Sequence, residues 1–450
     1  MQLNIRHLIL TTLLTLSGCK EPFSPNTDPD FEVPVVIATG NETYLNNGSD
    51  YIFDQDQLHT FQLKIPGIAL NELDKDPTAE KYVEGMLIFE GDTLSPVGIR
   101  YKGSIGAWVG CISGDNVFEP SGFKTCTKLS MKVNLNSEQK FFNLKKLQFH
   151  SQNQDPSQMR ERLGYWLFRE MGIPAPRSVH AKLVINGQYR GLFALTEQVD
   201  KRFIKENFDD DKGNLYKEVW PLRRSGTPHS DGTYISALKT NNDVNPRVGL
   251  IKEFGQRLAD TELPETRKLV EQYMDINKIM TYIAVDRTIR HDDGPFHWYC
   301  GSEGCYNHNY YWYEEPTRLR LHLIPWDMND AFENIIDHSN PITPIKDNWG
   351  EYSNDCHSFQ YRYARQWSAQ CDKLTATWAS YTDEYEQKKL GFINGPLSKA
   401  RVNPMLDKWH EQIKDATMDA KNLHDDAPSI RRWEAAIEEL REQLEYARSH

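Results

Sequence analysis

Between about Thr60 and Leu195, apolar and polar residues mostly alternate with the two-residue period of half-buried antiparallel strands. The runs "FQLKIP" (61–66), "VEGMLIFEGDTLSPVGIRYKG" (83–103) and "KLSMKVNLN" (128–136) carry this pattern, with Gly and Pro as punctuation. One segment breaks it. In "PSQMRERLGYWLFREMG" (156–172), Met159, Leu163, Leu167 and Met171 fall at helical spacing, and Gly172 with Pro174 supplies the stop. In "HAKLVINGQYRGLFALTEQVD", Asn186-Gly187 separates two alternating runs, the strongest short signal for a hairpin. This half predicts a sheet with one long helix.

After about Pro246 the period lengthens. "NPRVGLIKEFGQRLAD" and "INKIMTYIAVDRTI" place apolar residues at i, i+3 and i+4, and the tail carries Trp433, Ile437, Leu440 and Leu444 on one face. Within this helical half the pattern predicts one strand pair, "NHNYYWYEE" and "LRLHLIPWD", joined through a proline turn. The reading is an α+β fold, with a strand-rich lobe over 36–245 and a mainly helical lobe over 246–450.

With 39% hydrophobic and 26% charged residues in 450, the composition is that of a globular protein large enough for two lobes. A net charge of −12 without a long basic run argues against nucleic acid as a partner. The first 19 residues change the expected location. Arg6 and His7 precede a short apolar run and then Leu-Ser-Gly-Cys, which resembles a lipoprotein signal. Residues 1–18 are expected to be removed, Cys19 to be lipidated and held at a membrane, and residues 19–35, polar and proline-rich, to form a tether. The expected location is the extracytoplasmic side of a bacterial cell envelope. Six further cysteines fall as local couples, Cys111 with Cys126, Cys300 with Cys305 and Cys356 with Cys371, which in an oxidising compartment predicts disulfides. A zinc site is the rival reading of these thiols, but no CxxC pair occurs.

The candidate chemistry lies around the strand pair. Pro325 ends the hydrogen-bonding run of "LRLHLI", so that Asp327 sits at the strand's end. Upstream, "RHDDGPFHWYCGSEGCYNHN" brings Asp292 and Asp293 to one side and Asn307 and Asn309 to the hairpin entrance. Together these oxygen donors suit a hard divalent cation, Mg²⁺ or Mn²⁺, and their order follows that of phosphoryl-transfer enzymes. On the strand-rich half, Lys102 and Lys132, with Arg160 and Arg162 on the helix, are candidate cations for nucleotide phosphates, and Glu197 is a candidate partner for a lysine. Gly103 and Gly106 in "KGSIGAW" offer a looser phosphate cover than a full GxGxxG.

"NHNYYWYEEPTRLRLHLIPWDMNDAF" resembles the signature of the CotH-type spore-coat kinases, an atypical secreted branch of the protein kinase-like fold. "IRYKGS" (99–104), "KLSMKVNL" (128–135), "MRERLGYWLFREMGIPAPRSVHAKLVINGQYRGLFALTEQVD" (159–200) and "GNLYKE" (213–218) follow in the family's order. The resemblance implies a bilobal kinase-like fold. It also implies phosphoryl transfer from ATP with Mg²⁺ or Mn²⁺ to Ser or Thr hydroxyls of an exported protein. "HDD" stands where the family usually shows Asn-x-Asp. Asp293, next to Asp292, is then the acid that receives or orients the hydroxyl proton, Asp327 the metal ligand of "PWD", and Asn309 with Asn307 the rest of the cation's shell. Lys217 of "GNLYKE" joins the nucleotide-binding set. His291 replaces the usual amide, "CGSEGC" lengthens the gap, and Asn329 stands where an acid is common.

Two rival readings remain on the residues. His291, His297, His308 and His322 with Asp292 or Asp293 could form a metallohydrolase site, and a lipid-tethered domain of this fold could serve binding alone.

Overall fold

A computed structural model describes residues 42–450 apart from 137–138, 244, 303, 337–355 and 362–363. The signal segment, Cys19 and the tether lie outside the described residues.

Seven strands, β1 (His59–Lys64), β2 (Val83–Phe89), β3 (Asp92–Tyr101), β4 (Met131–Leu135), β5 (Lys146–His150), β6 (Ser178–Ile185) and β7 (Gln188–Thr196), close into a barrel in the order β1-β2-β3-β4-β5-β7-β6. Closure comes from the parallel pairing of β1 with β6, where Phe61 stands opposite Leu183. Alternation sends Val97, Ile99 and Tyr101, Met131 and Val133, and Leu147 and Phe149 into one apolar core. The β6–β7 turn uses Asn186 and Gly187 at positive φ, as a tight hairpin requires. The Asn186 side chain also bonds both the N–H and the carbonyl of Ile65 at 2.8 Å, tying that turn to the end of β1.

The predicted long helix is α1 (Arg160–Glu170). Its buried face does not fill the barrel. Met159, Leu163 and Leu167 belong to a second and larger core, shared with α2 (Leu250–Asp260), α3 (Ile276–Thr288), α4 (Lys399–Leu423) and α5 (Ile430–Ser449). The tail helix α5 buries Trp433, Ile437, Leu440 and Leu444, the face read from its spacing.

A short strand, β8 (Leu215–Lys217), pairs antiparallel with the first strand of the hairpin that leads to "IPWD", with Trp312 opposite Tyr216. β9 (Trp298–Gly301) and β10 (Gly304–Tyr306) precede β11 (Tyr310–Glu315) and β12 (Arg320–Pro325), followed by β13 (Phe359–Tyr361) and β14 (Ala364–Trp367). The hairpin β11–β12 pairs Tyr310 with Pro325, so Pro325 closes the ladder as expected. The helical half holds more strand than one pair, because β10-β9-β14-β13 form a further sheet. Those strands span three or four residues each, too short for a period of two to show. The three local cysteine couples are disulfides, and Cys300–Cys305 joins opposite residues of the β9–β10 hairpin. Among the described residues, no helix is long and apolar enough to cross a membrane.

Candidate functional site

Strand register builds the cationic wall. Opposite the core-facing residues, Arg100 of β3 pairs with Lys132 of β4, and Lys132 with Gln148 of β5. These side chains share the other face of the sheet, and the next row holds Lys102, Ser130 and His150. The Lys102 N–H donates to the Ser130 carbonyl at 2.8 Å, extending the ladder one step. Lys102, Lys132 and Lys217 line a cleft of about 470 Å3 together with Asp293, Asp327 and Asp330.

Lys102 is the centre of a directed chain. Its Nζ lies 2.6 Å from His150 Nε2, and His150 Nδ1 lies 2.6 Å from Glu161 Oε1 on α1. Thr196 Oγ1 donates to the same carboxylate oxygen at 2.7 Å. One proton on Nδ1 satisfies the whole sequence: ammonium to imidazole, imidazole to carboxylate. Burial opposes ionisation of Glu161, but His150, Thr196 and Lys102 outweigh it and hold the carboxyl below its ordinary value. Removal from water lowers the Lys102 ammonium to about 8, against the pull of Asp327 and Glu161. Lys132 is driven well below its usual value by burial and by Lys146 and Lys102. Lys217 goes the other way: burial opposes its charge, but Tyr311, Glu218 and Asp327 raise it.

Opposite stand the acids. Asp327 follows Pro325-Trp326 in a left-handed backbone, φ 56°, uncommon for a residue with a Cβ. Both its backbone groups are held: the N–H donates to Tyr165 Oη at 2.9 Å, and the carbonyl accepts from His291 Nε2 at 2.8 Å. The turn is thereby fixed against α1, where a side chain at Gly164 would come within 2.9 Å of Met328 Cβ. His291 also faces Asp286, Nδ1 to Oδ2 3.4 Å. Burial opposes its charge, but Asp286 and the Asp327 carbonyl raise its pKa.

Asn309, at φ 60°, turns its amide nitrogen onto Asp293 Oδ2 at 2.7 Å and onto the Asp293 carbonyl at 3.0 Å. Burial raises the Asp293 carboxyl above its usual range, with Asp327 adding to the shift and His308, His291 and Asn309 opposing it. Asp330, one 3₁₀ turn beyond Asp327, is pushed up to about 8 by burial and by repulsion from Asp293 and Asp327.

Of the residues expected from sequence, the cleft thus gathers Lys102, Lys132, Lys217, Asp293 and Asp327, with Asn309 behind Asp293. Others stand elsewhere. Asn307 spends both ends of its amide inside the protein, donating to the Pro295 carbonyl at 2.7 Å and accepting from Tyr310 Oη at 2.8 Å. Asp292 accepts from Asn334 Nδ2, and His297 Nε2 lies 3.9 Å from its other oxygen. Arg160 turns to Asp155 and Glu333, 3.6 and 3.3 Å away. Arg162 is fully buried against Gln55, His180 and Trp409. Glu197 forms a two-point pair with Arg177, so the acid that meets the lysine's chain is Glu161. Of the histidines of the hydrolase reading, His322 stands apart, facing Glu315 at 3.0 Å, and His308 lies by Tyr299, rings 6.0 Å apart.

Asp330, His150 and Glu161 were not singled out from sequence. Asp330 had a local signal, since "DMND" spaces its acids by one helical turn. The other two meet only through strand register and helix packing.

Among the described residues, no group of three or more His, Cys, Asp or Glu is gathered tightly enough to hold a metal by itself. Asp327, Asp330 and Asp293 nevertheless line the same cleft. Mg²⁺ is typically held by one or two carboxylates, waters and substrate phosphates, not by a protein cage. Asp327, Asp330 and Asp293 fit that donor set.

The family model described as CotH kinase protein matches residues 99–449. The inner spore coat protein H of Bacillus subtilis (strain 168) is 21% identical over 286 residues, which cover 61% of this chain and 69% of that protein.

Proposed function

The chain belongs to the CotH kinase protein family, and from that membership we propose that it transfers the γ-phosphoryl group of ATP to Ser or Thr hydroxyls of exported proteins. The observation that supports this reading is the convergence of Lys102, Lys132 and Lys217 on one wall of a cleft and Asp293, Asp327 and Asp330 on the other. A polyanion with bound cations needs both signs at once.

In this reading the lysines neutralise phosphate oxygens, and the Lys102–His150–Glu161 chain fixes where the Lys102 ammonium points. Asp293, oriented by Asn309, accepts the proton of the acceptor hydroxyl as its oxygen bonds to the γ-phosphorus and the bond to the ADP oxygen breaks. Its raised pKa makes it a better base than an exposed aspartate. Asp327 and Asp330 would hold Mg²⁺ or Mn²⁺, which supplies charge neutralisation on the phosphates. Three disulfides fit an oxidising, extracytoplasmic compartment, and lipid attachment at Cys19 would place the enzyme at a membrane surface.

Thermal unfolding of the soluble chain with ATP, with and without Mg²⁺ or Mn²⁺, tests this reading alongside transfer of labelled phosphate. Stabilisation is expected only when nucleotide and metal are present together, and Asp327→Asn should abolish it while remaining folded by circular dichroism. A parent protein that neither gains stability nor transfers label would leave a non-catalytic binding domain as the better account.

A further inference from the structure

Helix α1 reaches both walls of the cleft. Glu161, in its first turn, anchors Lys102 through His150, with 2.6 Å at each step of the chain. Tyr165 comes four residues later, so its side chain leaves the same face of the helix one turn further on. It is fully buried, and its hydroxyl oxygen accepts the Asp327 N–H at 2.9 Å. Its ring lies by Trp326, centroids 6.4 Å apart, and its neighbour Gly164 leaves room for Met328, which a Cβ at 164 would meet at 2.9 Å. One helix thus meets residues 326, 327 and 328 in succession.

This grip falls where the backbone needs it. The β11–β12 ladder ends at Pro325, and the Trp326 N–H goes to the Asn309 carbonyl at 3.1 Å. Asp327 then turns to φ 56°, where a Cβ crowds the following carbonyl oxygen, so the turn persists only if its surroundings fix it. Its N–H has left the strand, and the Tyr165 hydroxyl takes it. The backbone angles of Asp327 set the direction of its Cα–Cβ bond, and hence how its carboxylate enters the cleft that it lines. Asp330 is set by the same turn, because Asp327 starts the 3₁₀ segment that carries it. Phenylalanine at 165 would keep the ring and remove only the acceptor.

We propose that Tyr165 is a positioning residue for the cation end of the cleft: its hydroxyl holds the Asp327 turn left-handed, and α1 thereby sets the acids at one end and, through Glu161, Lys102 at the other. The inference rests on the phosphoryl-transfer reading, in which Asp327 and Asp330 hold the divalent cation, but the turn and the binding of metal with nucleotide can both be measured without catalysis.

Two measurements on the oxidised soluble chain test it. The first is amide hydrogen exchange over residues 326–330 without metal or nucleotide, which Tyr165→Phe should accelerate. The second is electron paramagnetic resonance of Mn²⁺ with ADP, where the variant should bind the complex about tenfold more weakly, the scale for losing a group that orients a metal ligand, and with an altered lineshape of the bound ion. Tyr234→Phe is the control for a lost tyrosine hydrogen bond: its hydroxyl is as deeply buried, donates to the Pro221 carbonyl at 2.9 Å and lies outside the cleft. It should match the parent in both measurements. Unchanged exchange, or an unchanged affinity for Mn²⁺ with ADP, in folded Tyr165→Phe overturns the proposal, as does an equal loss of affinity in Tyr234→Phe. A parent that binds no Mn²⁺ with ADP removes the kinase reading and the proposal together. Binding that weakens as expected in the variant, with no transfer of label by the parent, strikes the kinase reading and leaves Tyr165 in its role.

Discussion

The two walls of the cleft are electrostatic opposites built by different means. The lysine wall is made by the register of three strands, and burial strips Lys102 and Lys132 of part of their preference for charge. The acidic wall is made by turns, Asp327 and Asn309 both in left-handed backbone, and there burial, with repulsion from neighbouring carboxylates added to it, raises Asp293 and Asp330. Lys102 and Lys132 on one wall and Asp293 and Asp330 on the other are thus all biased toward their neutral forms. A ligand that brings negative charge to one wall and positive charge to the other relieves both, and a metal–nucleotide complex has that form.

The sharpest way to break this comparison is to remove one charge from the acidic wall without touching the other. Asp293→Asn keeps the Asn309 contact sterically possible and leaves the lysines intact. Nucleotide-dependent thermal stabilisation should persist while phosphoryl transfer falls about 10²-fold or more, the scale for loss of a positioned acid–base group. Single-turnover transfer beside a melting curve separates the two. Equal loss of both would mean that Asp293 serves binding or folding, not proton transfer.

A smaller effect sharpens the lysine wall. Because the Lys102 ammonium titrates at about 8, nucleotide affinity should decline as pH rises through that value, by at most about tenfold per unit for a single linked proton. Lys102→Arg keeps its charge throughout and should flatten the profile. Glu161→Gln removes a neighbour that raises the Lys102 pKa, so the decline should begin at lower pH. A merely structural glutamate would lower stability and leave that midpoint in place. Affinity titrations between pH 6 and 9 read all three.

How much of this was legible in the sequence follows from the range over which each feature is determined. Asn186-Gly187, the β11–β12 hairpin ended by Pro325, and the apolar face of α5 are local, and each formed as its pattern predicts. The parallel closure of β1 on β6 pairs residues more than a hundred positions apart, for which no local period exists. The same limit separates Asp327 from Glu161. A strand-ending proline announces the first, whereas the second is an ordinary helical glutamate until β5 brings His150 against it. Glu197 looked equally available, but Arg177 holds it. Sequence gives the residue types a site needs, and register decides which copies meet.

The least of the expected effects lies away from the cleft and shows what a buried acid does when no ligand answers it. Glu314 of β11 caps the start of α2, accepting the Ile251 N–H at 2.7 Å and the Tyr216 hydroxyl at 3.1 Å. Glycine at 249 permits this approach, since a Cβ there would lie 2.4 Å from Glu314 Oε2. A helix N-terminus ordinarily favours a carboxylate, but here removal from water outweighs Ile251, Tyr216 and Asn214 and lifts the carboxyl from 4.5 to about 7. The folded chain therefore holds a proton that the unfolded chain releases near 4.5. Glu314 contributes its full stability below that pH and loses it as pH rises through about 7, by an amount on the order of 3 kcal/mol. Glu314→Gln keeps an oxygen for both donors and cannot ionise. Urea unfolding of parent and variant should agree near pH 4.5 and diverge by pH 8, with the variant more stable. A constant difference across that range would show that Glu314 is already ionised in the fold, as the helix terminus alone would have it.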